Sequence, residues 1–309
     1  MTIKWTDKII LAKIEATYGV NAAPVAADGL QTSNVSFTPM DGNDVDRELD
    51  LPYLAAGGTI PADLHAKLSF NVELSPSGTR GAAPAWGPLM RACACAETLV
   101  ATTSVTYNPV SDGHESLTIH FMLGGTRHML LGARGNVSLD FTASAIPYLR
   151  FEFTGLFDKP AEATRTLPDL TAFKKPQIVA PLNTPTFTVA GTALVMRKCM
   201  LNLGNEVSPS FLVNRREIEI NSRSDVIETT VRAVPISTFD PYLMALDSQE
   251  VALSLVHGVG NGKITTLAVP RAQMQRVQGL ENAQGRAEWP LRLVPKALNG
   301  NDQWTLTLT

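Results

Sequence analysis

One stretch of this chain returns later in the same polypeptide, and a repeated unit restricts a fold more than composition does. Ser116 to Asp140 reads SLTIHFMLGGTRHMLLGARGNVSLD. Two β-rich runs meet at Gly124-Gly125, a pair suited to the positive φ angles of a two-residue hairpin turn. Ala252 to Arg276, ALSLVHGVGNGKITTLAVPRAQMQR, aligns with it, with Asn261-Gly262 at the turn and Arg271 at the place of Arg134. Further segments match in the same order. Leu149, Phe151 and Phe153 alternate as Trp289, Leu291 and Leu293 do. Trp86 to Cys93 has helical spacing and matches Phe239 to Leu246, with Pro88 and Pro241 in the first turn. Leu68 to Leu74 matches Ile227 to Ala233, and Val35 to Phe37 matches Leu201 to Leu203. The expected unit is strand, long loop, strand, one short helix, hairpin, strand.

A chain of 309 residues holds two such units, each able to bury its own core. Hydrophobic residues at 44% and charged residues at 18% describe a folded chain. The net charge of −3 hides an asymmetry: Lys+Arg against Asp+Glu is 11 against 16 over residues 1–160 and 15 against 13 over residues 161–309. Opposite-signed units suit alternation around a ring. Neither half has the dense basic face that sequence-specific binding of duplex DNA requires. Cys93 and Cys95 lie too close in sequence for an easy mutual disulfide, so reduced thiols are expected. The N-terminal segment lacks a signal-peptide core, and no apolar run is long enough for a membrane span.

The expected boundaries are an N-terminal segment 1–34, a first unit 35–158, a proline-rich connector 159–186 and a second unit 187–309. Ile9 to Ile14 reads as a short amphipathic strand, either an arm onto a neighbour or an edge strand of the first unit. After Pro39 the pattern becomes irregular for longer than a compact unit normally allows, which points to a contact loop. Its start carries Asp41, Asp44, Asp46, Glu48 and Asp50. The corresponding loop, Asn205 to Asp225, carries Arg215, Arg216 and Arg223. Oppositely charged loops of this kind are candidates for contact between one subunit and another.

Catalytic and metal chemistry find no anchor. The five histidines are scattered without HExxH or paired-cysteine spacing, although His120 and His128 are placed to face each other across the Gly124-Gly125 hairpin. Carboxylates at every second position from Asp44 to Asp50 would share one side of an extended segment, but the glycine and terminal glutamate of a calcium loop are missing. Gly258 to Lys263 lacks the first glycine of a phosphate loop and reads as a turn. There is no GxSxG. No enzyme, metal or cofactor is expected.

Several phrases carry a family resemblance. Ile9-Ile-Leu-Ala-Lys-Ile-Glu-Ala-Thr-Tyr-Gly19 followed by AAPVAADG, then Val35-Ser-Phe-Thr-Pro39, Ala85-Trp-Gly-Pro-Leu-Met-Arg-Ala-Cys93 and Gly132-Ala-Arg-Gly135, resemble the tail tube proteins of phages with long non-contractile tails. The resemblance runs through the first half and more weakly through the second. It implies a mainly β chain of two tandem tail-tube-type β-sandwich or barrel domains, each with one short helix and a long inter-ring loop. Inner sheets of such proteins join across subunits around a lumen. Two domains per chain then imply threefold rings imitating sixfold ones. The implied partners are further copies of the chain, the tape measure, tail terminator and distal tail proteins, and DNA passing through without sequence-specific binding. The implied location is the virion tail, after synthesis in the host cytoplasm. The competing class, a carbohydrate-binding or adhesion module, needs an exposed aromatic groove, and aromatics are only 6% here.

Overall fold

The computed structural model describes residues 3–309. In the first half β1 (Lys8–Ile14), β2 (Ser33–Asp46) and β3 (Thr59–Glu73) precede the short helix α1 (Gly87–Arg91). Then come β4 (Cys95–Val100), β5 (Ser104–Pro109), β6 (Leu117–Leu123), β7 (Thr126–Thr142), β8 (Tyr148–Phe157) and β9 (Ala161–Glu162). The second half begins with β10 (Thr186–Val189), β11 (Thr192–Ala193), β12 (Met196–Asn202), β13 (Asn205–Leu212), β14 (Arg215–Arg223) and β15 (Val226–Arg232). Helix α2 (Pro241–Leu246) follows, then β16 (Glu250–His257), β17 (Thr265–Met274), β18 (Glu281–Ala283), β19 (Arg286–Pro295) and β20 (Thr305–Leu308).

Eight of these strands form one continuous antiparallel run in the order β2, β3, β8, β7, β12, β15, β19, β17. Its inward residues follow the period of two that puts alternate side chains on one face. Leu68, Phe70 and Val72 of β3 sit in register with Phe153, Phe151 and Leu149 of β8, and all six are buried. Ile227, Thr229 and Val231 of β15 stand in register with Leu293, Leu291 and Trp289 of β19, again buried. The main apolar core reaches from Ile10 to Leu308, and Ile9, Leu11 and Met122 form a small separate cluster. Each helix lies between the strand pair and the following hairpin. Trp86, at the start of α1, is buried beside Tyr107 and donates its indole N–H to Ser75 O. Phe239, before α2, packs 5.9 Å from Trp289.

The pairing order β1, β6, β7, β8, β3, β2 in the first half has the same form as β10, β16, β17, β19, β15, β12 in the second. Both hairpins even contain the same bulge. Register steps from Leu117↔Ala133 to Ile119↔Leu130 in one and from Val251↔Ala272 to Leu253↔Val269 in the other. β1 lies along β6 from Lys8↔Leu123 to Ile14↔Leu117, so Ile9 to Ile14 is an edge strand of this chain's own sheet. The first half also holds the β4–β5 hairpin, and β5 joins the C-terminal β20, which pairs with β17 as well.

Three expectations are corrected. Leu123↔Thr126 leaves Gly124-Gly125 as a two-residue turn, but His257↔Thr265 leaves the whole of 258–264 as a loop, with Asn261-Gly262 inside it. The longer loop displaces the numbering, so the counterpart of Arg134, one residue beyond the bulge, is Gln273 rather than Arg271. Second, the stretch after Pro39 is irregular only over residues 47–58: β2 and β3 continue as a paired arm as far as Asp46↔Thr59. Both faces of this arm are largely exposed, so its residues carry no apolar alternation to signal a strand. Third, His120 stands opposite Met129 and His128 opposite Phe121, which puts the two histidines on opposite faces.

Leu139 is fully buried in β7 and lies in register with Leu149 on one side and Leu201 on the other. Leu139→Ala is expected to cost about 2–5 kcal/mol, measured by denaturant unfolding. A loss below about 0.5 kcal/mol would contradict its place at the centre of the sheet.

Candidate assembly surfaces

Beyond Leu203-Gly204 the β12–β15 pair projects as a two-stranded arm, β13–β14, and this arm lies on the first half of its own chain. Ile218 is fully buried there. Its amide donates to Tyr18 Oη at 2.6 Å, and its carbonyl accepts from Arg134 Nη1 at 2.8 Å. The Arg134 guanidinium also donates to Glu217 and to His114 O, and sits 4.9 Å from the Tyr18 ring centroid. Gly132 has φ 57°, and a Cβ there would stand 2.5 Å from the Tyr18 ring, so glycine is required for the tyrosine to reach the arm. Burial raises the Tyr18 hydroxyl to about 12, so it stays protonated. Burial pushes the Glu217 carboxyl up, but hydrogen bonds from Arg134 and Arg215 outweigh it and hold it below the usual range.

The three arginines expected to reach another subunit are placed differently from one another. Arg216 donates to Phe157 O at 2.9 Å in the first half, and its guanidinium lies by the Phe211 ring. Arg223 donates to Ala94 O at 2.7 Å and to Cys93 O at 3.1 Å, just past the end of α1, with its Nε on Asn205 Oδ1. Asn205 adds Nδ2 bonds to Cys93 O and Gly135 O. Arg216 and Arg223 therefore fasten the two halves of one chain. Arg215 is exposed and is bound by Glu217 and Glu219 of its own strand.

The acidic set lies far along the β2–β3 arm. Asp41 accepts from Lys67 Nζ at 2.7 Å and from the Gly42 amide, and these bonds hold its carboxyl below the usual range. Asp44, Asp46, Glu48 and Asp50 are exposed, together with the apolar Val45, Tyr53, Leu54 and Ile60. Among the described residues none of them pairs with Arg215, Arg216 or Arg223, although Arg216 Nη2 donates to Leu64 O at 3.4 Å at the base of this arm. Sequence reasoning missed Tyr18, Arg134, Asn205 and Asp225, whose partners are remote in sequence. Only the glycine at 132 hints that something packs closely on β7.

A second join runs through β20. Trp304 Nε1 and Gln303 Nε2 both donate to Asp225, each at 3.0 Å. Burial raises the Asp225 carboxyl despite these bonds and the nearby Arg223. The remaining reactive groups are enclosed. Cys93, Cys95 and Cys199 are free and buried, and burial pushes their thiols up. Trp86 and Trp304 are buried as well. No cluster of three His, Cys, Asp or Glu side chains suited to a metal ion occurs among the described residues.

The family model described as phage tail tube protein matches residues 5–302. No curated protein matches the chain.

Tyr18→Phe removes the acceptor of a buried amide and is expected to cost about 1–3 kcal/mol, with faster hydrogen exchange at Ile218. Unchanged exchange there would show that the arm is not held by this bond. For Asp225, a carboxyl raised in the folded state binds its proton more tightly than in the unfolded chain, so its charge costs stability at neutral pH and the cost disappears on acidification. The stability of Asp225→Asn relative to wild type should therefore be highest near pH 7 and fall toward about pH 4. A difference that grows on acidification in paired denaturation series would contradict the raised value.

Proposed function

The chain belongs to the phage tail tube protein family, and from that premise we propose that its copies join edge to edge into rings which stack as the tube of a long non-contractile tail. The observation that carries this reading is the open eight-stranded run. Its internal junction is an antiparallel pairing of β7 with β12, from Lys198↔Thr142 to Asn202↔Ser138. β2 and β17 hold the places of β12 and β7 in the recurring pairing order: β2 pairs with β3 alone, while β17 is held by β16 as far as Gln273, so that the chain past Met274 stands where β7 receives β12. An unpaired strand edge is a template for another chain, and native proteins either cover it or use it.

Two halves with the same pairing order support a duplicated tube domain. Three copies then supply six domain positions, a threefold ring close to sixfold. Stacking is a heterologous contact along the axis that does not close, which yields a filament. Further partners are the other tail proteins, at the tube's ends and within its lumen. DNA passes through during ejection, and a neutral or acidic wall suits that passage because fixed positive charge would hold phosphates. The competing adhesion module loses support because three of the four tryptophans, Trp86, Trp289 and Trp304, are interior.

Purified protein examined by negative-stain microscopy over a rising concentration series is expected to give rings with threefold class averages and then tubes. A chain that remains a compact monomer at millimolar concentration contradicts the proposal, and strict sixfold rings of one chain per position contradict the duplicated domain.

A further inference from the structure

We infer that the β2–β3 arm is the intermolecular counterpart of the β13–β14 arm: it lies across the second half of a neighbouring copy, over β17 and β19, as β13–β14 lies over β7 and β8 within the chain. The inference rests on the ring reading above and names the two surfaces that meet. Both arms grow from equivalent places. β2 and β3 run on past the Phe37↔Leu68 pair, as β12 and β15 run on, through short breaks, into β13 and β14 past Leu201↔Ile227. One arm is fully engaged, with Ile218 buried under Tyr18 and Arg134. The polar side chains of the other bond within its own strands, such as Asp41 with Lys67 and Asn43 with Asp63, and only its base is reached from elsewhere, by Arg216 at Leu64 O. Val45 and Ile60, which face each other across the arm, are 54% and 56% exposed.

The surface such an arm would cover exists and is open. Within the chain the receiving face carries Arg134 and Asn136 of β7 beside Thr154 and Glu152 of β8, and Asn136 Oδ1 accepts from the Asn205 amide of the arm. On the second half the matching positions are Gln273 and Gln275 beside Val294 and Arg292, with Gln275 N donating to Arg292 O as the backbone register requires. Lys296 takes the place of Leu156. Within the chain the receiving face holds the arm through a basic residue, Arg134, which pairs with Glu217 of the arm. The open face presents Arg292 and Lys296 to an arm bearing Asp41, Asp44 and Asp46. Arg292 is exposed and has no ion pair among the described residues, and Lys296 is 45% exposed with one partner, Glu250, at 3.4 Å. Each copy thus gives one arm and receives one, a directional contact that fixes the order of halves around a closed ring.

Inside the chain Phe211 of the arm lies 6.4 Å from the ring of His65, which is in register with Leu156. Asp46 lies nine residues beyond Phe37 where Phe211 lies ten beyond Leu201, which puts it at a similar distance along the free arm, and Lys296 takes the place of Leu156 on the receiving face. Asp46→Cys and Lys296→Cys proteins, each first shown to form rings, are mixed, assembled and treated with a short thiol-specific cross-linker. The native thiols are buried and do not compete. A covalent dimer from this mixture, and none from Asp46→Cys mixed with Arg215→Cys, is the expected result. Independently, Asp44→Lys with Asp46→Lys should raise the concentration needed for ring formation roughly three- to tenfold, and adding Arg292→Glu with Lys296→Glu should restore it. Rings that form normally while the Asp46–Lys296 pair stays silent, or that cross-link Asp46 to Arg215 instead, overturn the arm's placement and leave the tube reading intact. Wild-type protein that forms no rings overturns both.

Discussion

The pairing of β7 with β12 is the contact on which the remainder of the structure depends. β7 is long enough to carry β6 along its first part and, on the same side, β12 along its last part, while β8 runs along the other side. Without that join each half would end in an unpaired edge, with backbone amides and carbonyls exposed to any strand that met them. With it, four strands of one half and four of the other become one run. The second join, β5 with β20, ties the halves at a separate place and so limits their rotation about the first.

Polar side chains then fix what the sheet alone leaves loose. An arm lying flat on a sheet could slide by two residues without exposing new apolar surface, since side chains repeat at that period. Arg134 on Ile218 O, Tyr18 on Ile218 N and Arg223 on the carbonyls past α1 select one position, because each bond needs its partner at one place. Breaking a buried, hydrogen-bonded group away from its partner is expensive, which makes these residues determinants of geometry more than sources of net stability. The exposed pairs on the outer strands, such as Arg215 with Glu219, contribute little in comparison.

Much of the sheet is legible from the residues. The triplets Leu149, Phe151, Phe153 and Trp289, Leu291, Leu293 alternate because one face of each strand is buried, and burial is what hydrophobic period reports. Trp86-Gly-Pro and Phe239-Asp-Pro announce the helices through proline near the first turn. The arms are illegible for the same reason inverted: a strand pair open on both faces has no apolar period, so residues 41–64 read as a loop. β20 was within reach, since Trp304, Leu306 and Leu308 alternate with threonine and glutamine, yet four residues are too few to stand out beside the longer runs. The partners of Arg223 and Asp225 could not be read at all. They depend on carbonyls beyond α1 and on the C-terminal tryptophan, and neither leaves a pattern near those residues in the sequence.

A chain of this family that meets its own copies through the free edges of one sheet should change most at those edges. Hydrogen exchange measured by mass spectrometry on the free chain and on assembled rings reads this directly. Amides of Ser33–Thr38 along β2 and of Arg276–Leu280 beyond β17 are predicted to exchange quickly in the free chain and to become strongly protected together on assembly. Rings in which both segments exchange as fast as in the free chain would contradict edge-to-edge joining of the sheet.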